Sequence, residues 1–352
     1  MTAEYKTYLP PRDFVAYGED TPSDCWPNSA KIAVSFVLNY EEGAEHTLWN
    51  GDAHSEAFLS ESAFHRQPKQ GRRDLYVESQ FEYGTRAGLP RLLKLFKKFG
   101  YSWSTWTNAR ALEASAYYGK YLVEGGHDIA AHGNRWITQT ELYADPSPVA
   151  SLTGKTGPEE EAAHVAQNID RLRAATGLQD VPTGYYLGRG SLYSKYLISK
   201  VHKEKGVPLV YNSDSYSSDL PYWQESPLAA DGDEDEGLLH VPYGLFLNDH
   251  RFYCKGAGAS CGDDFFDLLK AEFDYILREG REGKPKMMTI AMHSRILGRP
   301  GRIQCLKRFM EYVQSHGEEA WVTTRADIAR HWQAKYPYKT VGLTRLTHAQ
   351  TA

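Results

Sequence analysis

The sequence predicts an α/β protein in which a single distorted (β/α) barrel accounts for most of the chain. Residues 31–43, KIAVSFVLNYEEG, run without a charge from Ile32 to Tyr40, as in a strand buried on both faces of a parallel sheet. Eight candidate strands are mostly separated by helical patterns, which favours a barrel over an open sheet. Several of these strands end in an ionisable residue, and that end carries the chemistry in barrel enzymes.

The other seven strands are short apolar or aromatic segments bounded by turn-forming residues. We predict them at residues 101–107, 127–132, 182–187, 207–213, 238–247, 286–292 and 320–323.

Helices are predicted between the strands from apolar residues at helical spacing and from terminal glycines. They cover residues 88–100, 109–125, 159–176, 192–205, 263–278 and 302–315, and a short last helix starts at Arg325. Residues 44–80 lack a clean period and are predicted as a long loop with short helical turns. Residues 138–158 are rich in Pro and Gly, which predicts an irregular insertion that acts as a lid.

This pattern divides the chain into three parts. Residues 1–30 form an N-terminal arm, residues 31–335 the barrel, and residues 336–352 a C-terminal tail.

Composition narrows the class of protein. A net charge of -5 provides no electrostatic footprint for nucleic acid or an anionic membrane, so we expect a small-molecule substrate as the partner. The N-terminal residues contain no apolar run of signal-peptide length, so a cytoplasmic protein is expected.

The sequence contains four cysteines, and none of them forms a CxxC pair; they are Cys25, Cys254, Cys261 and Cys305. A Cys254–Cys261 disulfide is conceivable, but without an export signal we expect reduced thiols.

Five predicted strands deliver an ionisable residue to the same rim of the barrel. These residues are Glu41 with Glu42, His132, Arg189, Asp214 and His293. Each alone has a structural interpretation, such as a solvated acidic pair or a capped turn. Their convergence predicts an active site at the barrel mouth, where closely spaced carboxylates can be tuned as acid or base.

These residues lie in segments that resemble the polysaccharide deacetylase (NodB-homology) superfamily, and more closely its cofactor-independent allantoinase branch. The segments are FVLNYEEG with SEAFLSE, YGTRAGLPRLLKLFKK, HGNRW, the GRG of YLGRG, SDSYSSDLPYW, MHSRILGRPGR and RADIARHW. They span roughly residues 12–336, nearly the whole chain.

The resemblance implies a role for each residue. Glu41 takes the place of the catalytic base and Glu42 that of a metal ligand. Arg189 corresponds to the arginine that orients the base. Asp214 corresponds to the carboxylate that tunes His293, the general acid.

Metal binding is where the chain departs from the superfamily. The second motif has two metal-binding histidines four residues apart; here His132 is present, but Trp136 occupies the second position. A catalytic zinc normally takes three protein ligands, and only Glu42 and His132 remain. We therefore predict no cofactor, with zinc as the alternative if a further ligand such as His46 or His54 completes the site.

The implied reaction is hydrolysis of a C–N bond. Glu41 would deprotonate water and His293, kept charged by Asp214, would protonate the leaving nitrogen. Arg189, His132 and Trp136 would hold the developing oxyanion in place of zinc. Without a metal, an activated carbonyl in a cyclic ureide, hydantoin or imide is expected. The predicted substrate-binding residues are Glu42, His132, Trp136, Tyr186, Tyr216 and Trp223, with Tyr222 as a further candidate wall.

Substrate identity is less constrained than reaction type. The 138–158 insertion and the segment NSDSYSSDLPYW depart from the allantoinase pattern on the substrate side. Allantoin is the first candidate, followed by another cyclic amide or imide. A zinc-dependent deacetylase of N-acetylated sugars and a non-catalytic binding barrel are the alternatives. The resemblance also implies a homo-oligomer, a tetramer.

Overall fold

A computed structural model describes residues 5–61, 67–233, 237–253, 258–259 and 261–338. The strands are β1 (Ile32–Tyr40), β2 (Ser104–Thr107), β3 (Asp128–Ala131), β4 (Gly184–Tyr185), β5 (Tyr211–Asn212), β6 (Tyr222–Gln224), β7 (Leu238–His240), β8 (Lys286–His293) and β9 (Ala320–Thr323). The α-helices are α1 (Leu75–Tyr83), α2 (Leu89–Phe99), α3 (Ala109–Ala114), α4 (Gly119–Glu124), α5 (Pro158–Thr176), α6 (Ser194–Lys205), α7 (Gly262–Arg281), α8 (Pro300–Gln314) and α9 (Arg325–Lys335).

The strands form one curved sheet in the order β6-β7-β5-β4-β3-β2-β1-β8, and every ladder except β6–β7 is parallel. β8 pairs along β1 from Ile32 to Asn39. The other edge of β1 is shared by β9 over its first half and β2 over its second. A single parallel bridge, Asn248–Ala291, spans the gap between the segment after β7 and β8. The predicted distorted (β/α) barrel is confirmed, with its hydrogen bonding interrupted at this gap.

β1 separates two apolar layers. Its nine residues are all buried. Ile32, Val34, Phe36, Leu38 and Tyr40 belong to the cluster formed with the helices. Ala33 and Val37 belong to the cluster that fills the barrel. The period-two alternation of a strand therefore directs odd-numbered residues of β1 inward and even-numbered residues outward.

Several predicted elements differ from those observed, for local reasons. The predicted strand 238–247 ends at His240, because Pro242 lacks the N–H that a ladder requires. The predicted helix 109–125 is split into α3 and α4. Where α3 ends, the Ser115 hydroxyl donates to the carbonyl of Ala111 at 2.7 Å. Helix α1 and strand β6 were not predicted; α1 buries few apolar side chains, which weakens its periodic signal.

The N-terminal residues run along the barrel surface and enter its core near β1. The amide of Tyr8 donates to the carbonyl of Leu192 at 3.0 Å. Trp26 is buried against Trp332 of α9. Within the ranges that the structure describes, no helix combines the length and apolar character needed to cross a membrane.

Candidate active site

Glu41 and Glu42 follow β1 directly, and the strand alternation sends their side chains in different directions. Glu41 continues the odd-numbered, inward series and lies at the barrel mouth with 2% exposure. Glu42 continues the outward series and packs on Gly84, where even a Cβ atom would lie 2.5 Å from its Oε1. The adjacent carboxylates therefore occupy different environments.

Glu41 is enclosed by cationic and donor groups. Its Oε1 lies 3.3 Å from Nε2 of His132 and 3.3 Å from Nε2 of His293. Its Oε2 accepts a hydrogen bond from Nη2 of Arg295 at 2.7 Å. Burial alone would raise the pKa of Glu41, but the charges of His293 and Arg295 outweigh burial and hold it well below its usual range. Glu41 is therefore ionised at neutral pH.

His293 is held by Asp249. Its Nδ1 lies 2.6 Å from Asp249 Oδ1, and the Asp249 Oδ2 accepts the amides of His293 and Leu297 at 2.7 and 3.1 Å. Burial opposes the charged imidazole, yet the carboxylates of Glu41 and Asp249 raise the pKa of His293 to about 9. His293 is consequently an imidazolium at neutral pH, with Nε2–H directed toward Glu41.

The prediction that Asp214 tunes His293 is wrong. Asp214 instead accepts hydrogen bonds from the amides of Leu187 and Gly188, at 3.0 and 2.7 Å. It fixes the loop after β4, and its own pKa is raised because it is buried. Asp249 was missed, although it lies just beyond the predicted 238–247 strand. The strand-end criterion that selected the other residues would have selected Asp249 too.

The arginine that binds Glu41 is Arg295 rather than Arg189, whose guanidinium packs on the rings of Phe58 and Trp136. Arg295 is 2% exposed; Nη1 lies 3.3 Å from Glu42 Oε1, and Nη2 binds Glu41. Its guanidinium stacks on the rings of Phe81 and Trp136, at 4.3 and 5.3 Å. Burial opposes this charge, but the two carboxylates raise the pKa of Arg295. The feature of the sequence that could have identified Arg295 is its position two residues after His293.

Glu42 is secured by the segment that carries Arg295. Ser294 Oγ donates to its Oε1 at 2.6 Å, and the amide of Arg295 approaches the same oxygen at 3.3 Å. One oxygen of Glu42 is thus fully used within the protein. This arrangement gives Glu42 a positioning role for Arg295 and does not place it as a wall of the substrate site.

His132 is oriented through its other ring nitrogen. Its Nδ1 lies 2.6 Å from the carbonyl of Tyr186, which fixes Nδ1 as the donor and directs Nε2 toward Glu41. The ring lies parallel to that of Tyr186, with centroids 5.3 Å apart. Trp136, by contrast, offers an indole face, and this face packs on the guanidinium groups of Arg295 and Arg189.

The side chains do not fit the zinc ion that the superfamily resemblance implies. Among the described residues, no group of three His, Cys, Asp or Glu side chains is arranged to hold a metal. The Arg295 guanidinium occupies the position between the two carboxylates. His46 and His54, which were suggested as further ligands, make other contacts. The Nε2 atom of His46 lies 2.9 Å from Oε2 of Glu141, and the ring of His54 stacks on that of His46 with centroids 4.4 Å apart.

Aromatic side chains extend into the barrel from the cluster of Glu41, His132 and His293. Trp106 stacks on Tyr186 with centroids 4.1 Å apart, and the hydroxyls of Tyr186 and Tyr216 are 2.9 Å apart. Tyr216 is 52% exposed, so this pair leads from the buried site to the surface. Trp223 differs from the prediction: its indole donates to the carbonyl of Tyr336 at 2.8 Å, which places it against the C-terminal segment.

Within the described residues, Tyr222 makes no ring contact with Tyr186 or Tyr216 and instead packs on strand β7. Its ring stacks on that of His240, and its hydroxyl lies 2.5 Å from Ser215 Oγ.

The 138–158 insertion is a packed unit rather than an open loop. Ile137, Leu142 and Val149 form a small buried cluster. The Glu160 carboxylate accepts the amides of Leu152 and Thr153, and Ala53 donates to Pro148 O at 3.0 Å. These contacts fix the insertion against the loop that follows Glu41.

Comparison with known proteins identifies relatives over almost the whole chain. No protein-family model matches it. A Schizosaccharomyces pombe protein named "Putative polysaccharide deacetylase" is 39% identical over 324 residues, which is 92% of this chain and 96% of that protein. The crystal structure of the PuuE allantoinase has a TM-score of 0.80 and 41% identity, covering 93% of this chain and 99% of that one. A "probable Polysaccharide deacetylase" from Pseudomonas aeruginosa PAO1 has a TM-score of 0.79 and 39% identity, with coverage of 93% and 99%.

Proposed function

The chain belongs to the polysaccharide deacetylase family of hydrolases, and we propose that it cleaves the C–N bond of a cyclic amide by acid–base catalysis without a metal. The observation that carries this proposal is Arg295, whose guanidinium binds both Glu41 and Glu42, the residue that takes the place of a metal ligand in the family motif. The likeness to the PuuE allantoinase supports allantoin as the first candidate substrate.

The protonation states of the acid–base pair suit this reaction. An ionised Glu41 can accept a proton from water, and an imidazolium His293 can donate one to a leaving nitrogen. The low pKa of Glu41 makes it a weak base in the empty site. A substrate that enters between Glu41 and the two imidazoles would separate it from His293, and its basicity would increase on binding.

Hydrolysis then proceeds in two steps with the protons balanced. Water attacks the ring carbonyl as Glu41 takes its proton, and the carbonyl becomes a tetrahedral oxyanion. The N–H groups of Arg295, which bind Glu41 in the empty site, would stabilise this charge, since buried positive donors contribute strongly. Collapse of the intermediate breaks the C–N bond, and His293 Nε2 transfers its proton to the nitrogen. The product is an open-chain carboxylic acid.

The test is turnover of allantoin, hydantoin and succinimide by protein treated with a chelator, with metal content measured on the same sample. We expect the treated protein to hydrolyse at least one of these rings. Glu41→Gln should lower kcat by roughly 100-fold or more, since it removes the base. Activity that disappears on chelation and returns with zinc would contradict the metal-free proposal.

The deacetylase names of two relatives favour a second candidate, zinc-dependent removal of acetyl groups from an N-acetylated sugar. Acetate release from N-acetylglucosamine oligomers, measured with and without added zinc, distinguishes the two. The incomplete donor set around Glu42 and His132 argues for the cyclic amide.

A further inference from the structure

Arg189 is partly buried beside Trp136 and takes no part in the proton transfers proposed above. The loop that carries it, after β4, is fixed from two sides. Asp214 accepts the amides of Leu187 and Gly188, and the carbonyl of Arg189 accepts the amide of Gln139 at 2.9 Å. These contacts fix the backbone from which the Arg189 side chain extends.

The guanidinium of Arg189 is supported by aromatic rings and leaves its donors free. Its Cζ lies 4.5 Å from the Trp136 ring centroid and 5.3 Å from that of Phe58. Stacking orients a planar guanidinium but uses none of its five N–H groups. Within the part of the chain that the structure describes, the Arg189 guanidinium makes no hydrogen bond or ion pair, although it is only partly exposed. The guanidinium of Arg295, in contrast, is engaged with carboxylates.

Trp136 connects this free guanidinium to the catalytic one. The same indole contacts Arg189 and Arg295, and Arg295 binds Glu41. From the catalytic carboxylate outward, the order is therefore Glu41, Arg295, Trp136 and Arg189. Because Arg295 and Arg189 contact the same indole, a substrate group that binds Arg189 would lie about one indole ring beyond Arg295.

We propose that Arg189 determines substrate specificity by binding a second, planar acceptor group of the substrate, a carboxylate or a ureido carbonyl outside the ring that is opened. The fork of a guanidinium matches the two oxygens of a carboxylate, and one of its N–H pairs matches a carbonyl. This inference rests on the proposed function and narrows its substrate class from cyclic amides to cyclic amides that carry such a substituent.

The test compares rings with and without the acceptor group. Steady-state kinetics are measured on hydantoin, allantoin and hydantoin-5-acetate for wild type, Arg189→Met and Arg189→Lys. Arg86→Met is the control, because Arg86 is an exposed arginine with 79% side-chain accessibility. Calorimetric binding of hydantoin-5-acetate and hydantoin is measured in parallel.

We expect Arg189→Met to lower kcat/KM for allantoin and hydantoin-5-acetate by roughly 10- to 100-fold, mainly through KM, as for one lost charge-assisted hydrogen-bond pair. The value for hydantoin should change less than about 3-fold, and Arg189→Lys should be intermediate on the substituted rings. An equal loss on all three rings, or no loss on the substituted ones, would overturn the inference.

Failure of the proposed function gives a different result. If wild type opens none of the rings but binds hydantoin-5-acetate in a manner that Arg189→Met weakens, the acceptor role stands and the cyclic amidohydrolase proposal falls. If wild type neither opens nor binds these rings, both are overturned.

Discussion

At the scale of single residues, the two imidazoles beside Glu41 differ in the group that contacts their Nδ1 atom. Both imidazoles direct Nε2 at Glu41, but Nδ1 of His293 meets the Asp249 carboxylate whereas Nδ1 of His132 meets a backbone carbonyl. A carboxylate stabilises an imidazolium much more than a neutral carbonyl does. The contact with Asp249 therefore favours His293 over His132 as the proposed proton donor.

Replacing Asp249 tests this assignment. We expect Asp249→Asn to lower kcat by roughly 100-fold, the scale of a general-acid contribution. His293 must be protonated to act, and its pKa is raised to about 9, so wild-type activity should fall as the pH rises through 9. In Asp249→Asn this alkaline limb should move to lower pH, because the supporting negative charge is lost.

Asp214→Asn is the matched control for that pH profile. It removes a carboxylate from the same rim, but one that binds the amides of Leu187 and Gly188. It should leave the position of the alkaline limb unchanged even where it lowers activity. A limb that moves in Asp214→Asn and not in Asp249→Asn would contradict the pairing.

The guanidinium of Arg295 provides a second test at this scale, through metal binding. Trp136→His restores the family's second histidine, but Arg295 still lies between the carboxylates, so this variant should retain no zinc. Trp136→His combined with Arg295→Met supplies three ligands, with Glu42 and His132, and should retain about one zinc per chain.

Elemental analysis after gel filtration measures the zinc retained per chain. Arg295→Met alone is the control, and circular dichroism checks that each variant is folded. Zinc retained by wild type or by Trp136→His would show that Arg295 does not exclude the metal.

At the scale of elements, the active site depends on a close backbone crossing. Residues 84–88 form a π-helical turn between α1 and α2. Gly88 faces the segment after β8, where an added Cβ would lie 1.9 Å from the carbonyl oxygen of Ser294. Ser294 precedes Arg295, so this crossing determines how near the guanidinium lies to the two carboxylates.

Gly88→Ala should therefore destabilise the protein and impair catalysis together. The contact is with backbone, which cannot rotate away, so we expect a loss of about 2–3 kcal/mol or more in the free energy of unfolding. Urea denaturation measures it. Gly301→Ala in the first turn of α8 is the control: its Cβ meets nothing within 4 Å, so stability should be unchanged or rise by up to about 1 kcal/mol. Equal stabilities for the two variants would contradict the role of the crossing.

At the scale of the whole molecule, the barrel and its reactive rim could be predicted from sequence, whereas the pairing of side chains across the rim could not. The period-two pattern of β1 and the strand-end positions of Glu41, His132 and His293 follow from local sequence. Asp249 follows an irregular segment beyond β7, and its contact with His293 joins residues 44 positions apart. Arg295 carries no periodic signal, because it lies in a turn. Cytoplasmic location and tetrameric assembly stay predictions.

The buried contacts of His293 with Glu41 and Asp249 also make the free energy of unfolding depend on pH. The pKa of His293 is raised from 6.5 to about 9 in the folded protein. Its charged form is therefore favoured by folding, so its contribution to stability is complete below pH 6.5 and is lost as the pH rises through about 9. His293→Gln lacks this contribution. The difference in unfolding free energy between wild type and His293→Gln, measured by urea denaturation, should shrink steadily from pH 6.5 to 9. A constant difference across that range would mean that Glu41 and Asp249 do not hold the imidazolium in the folded state.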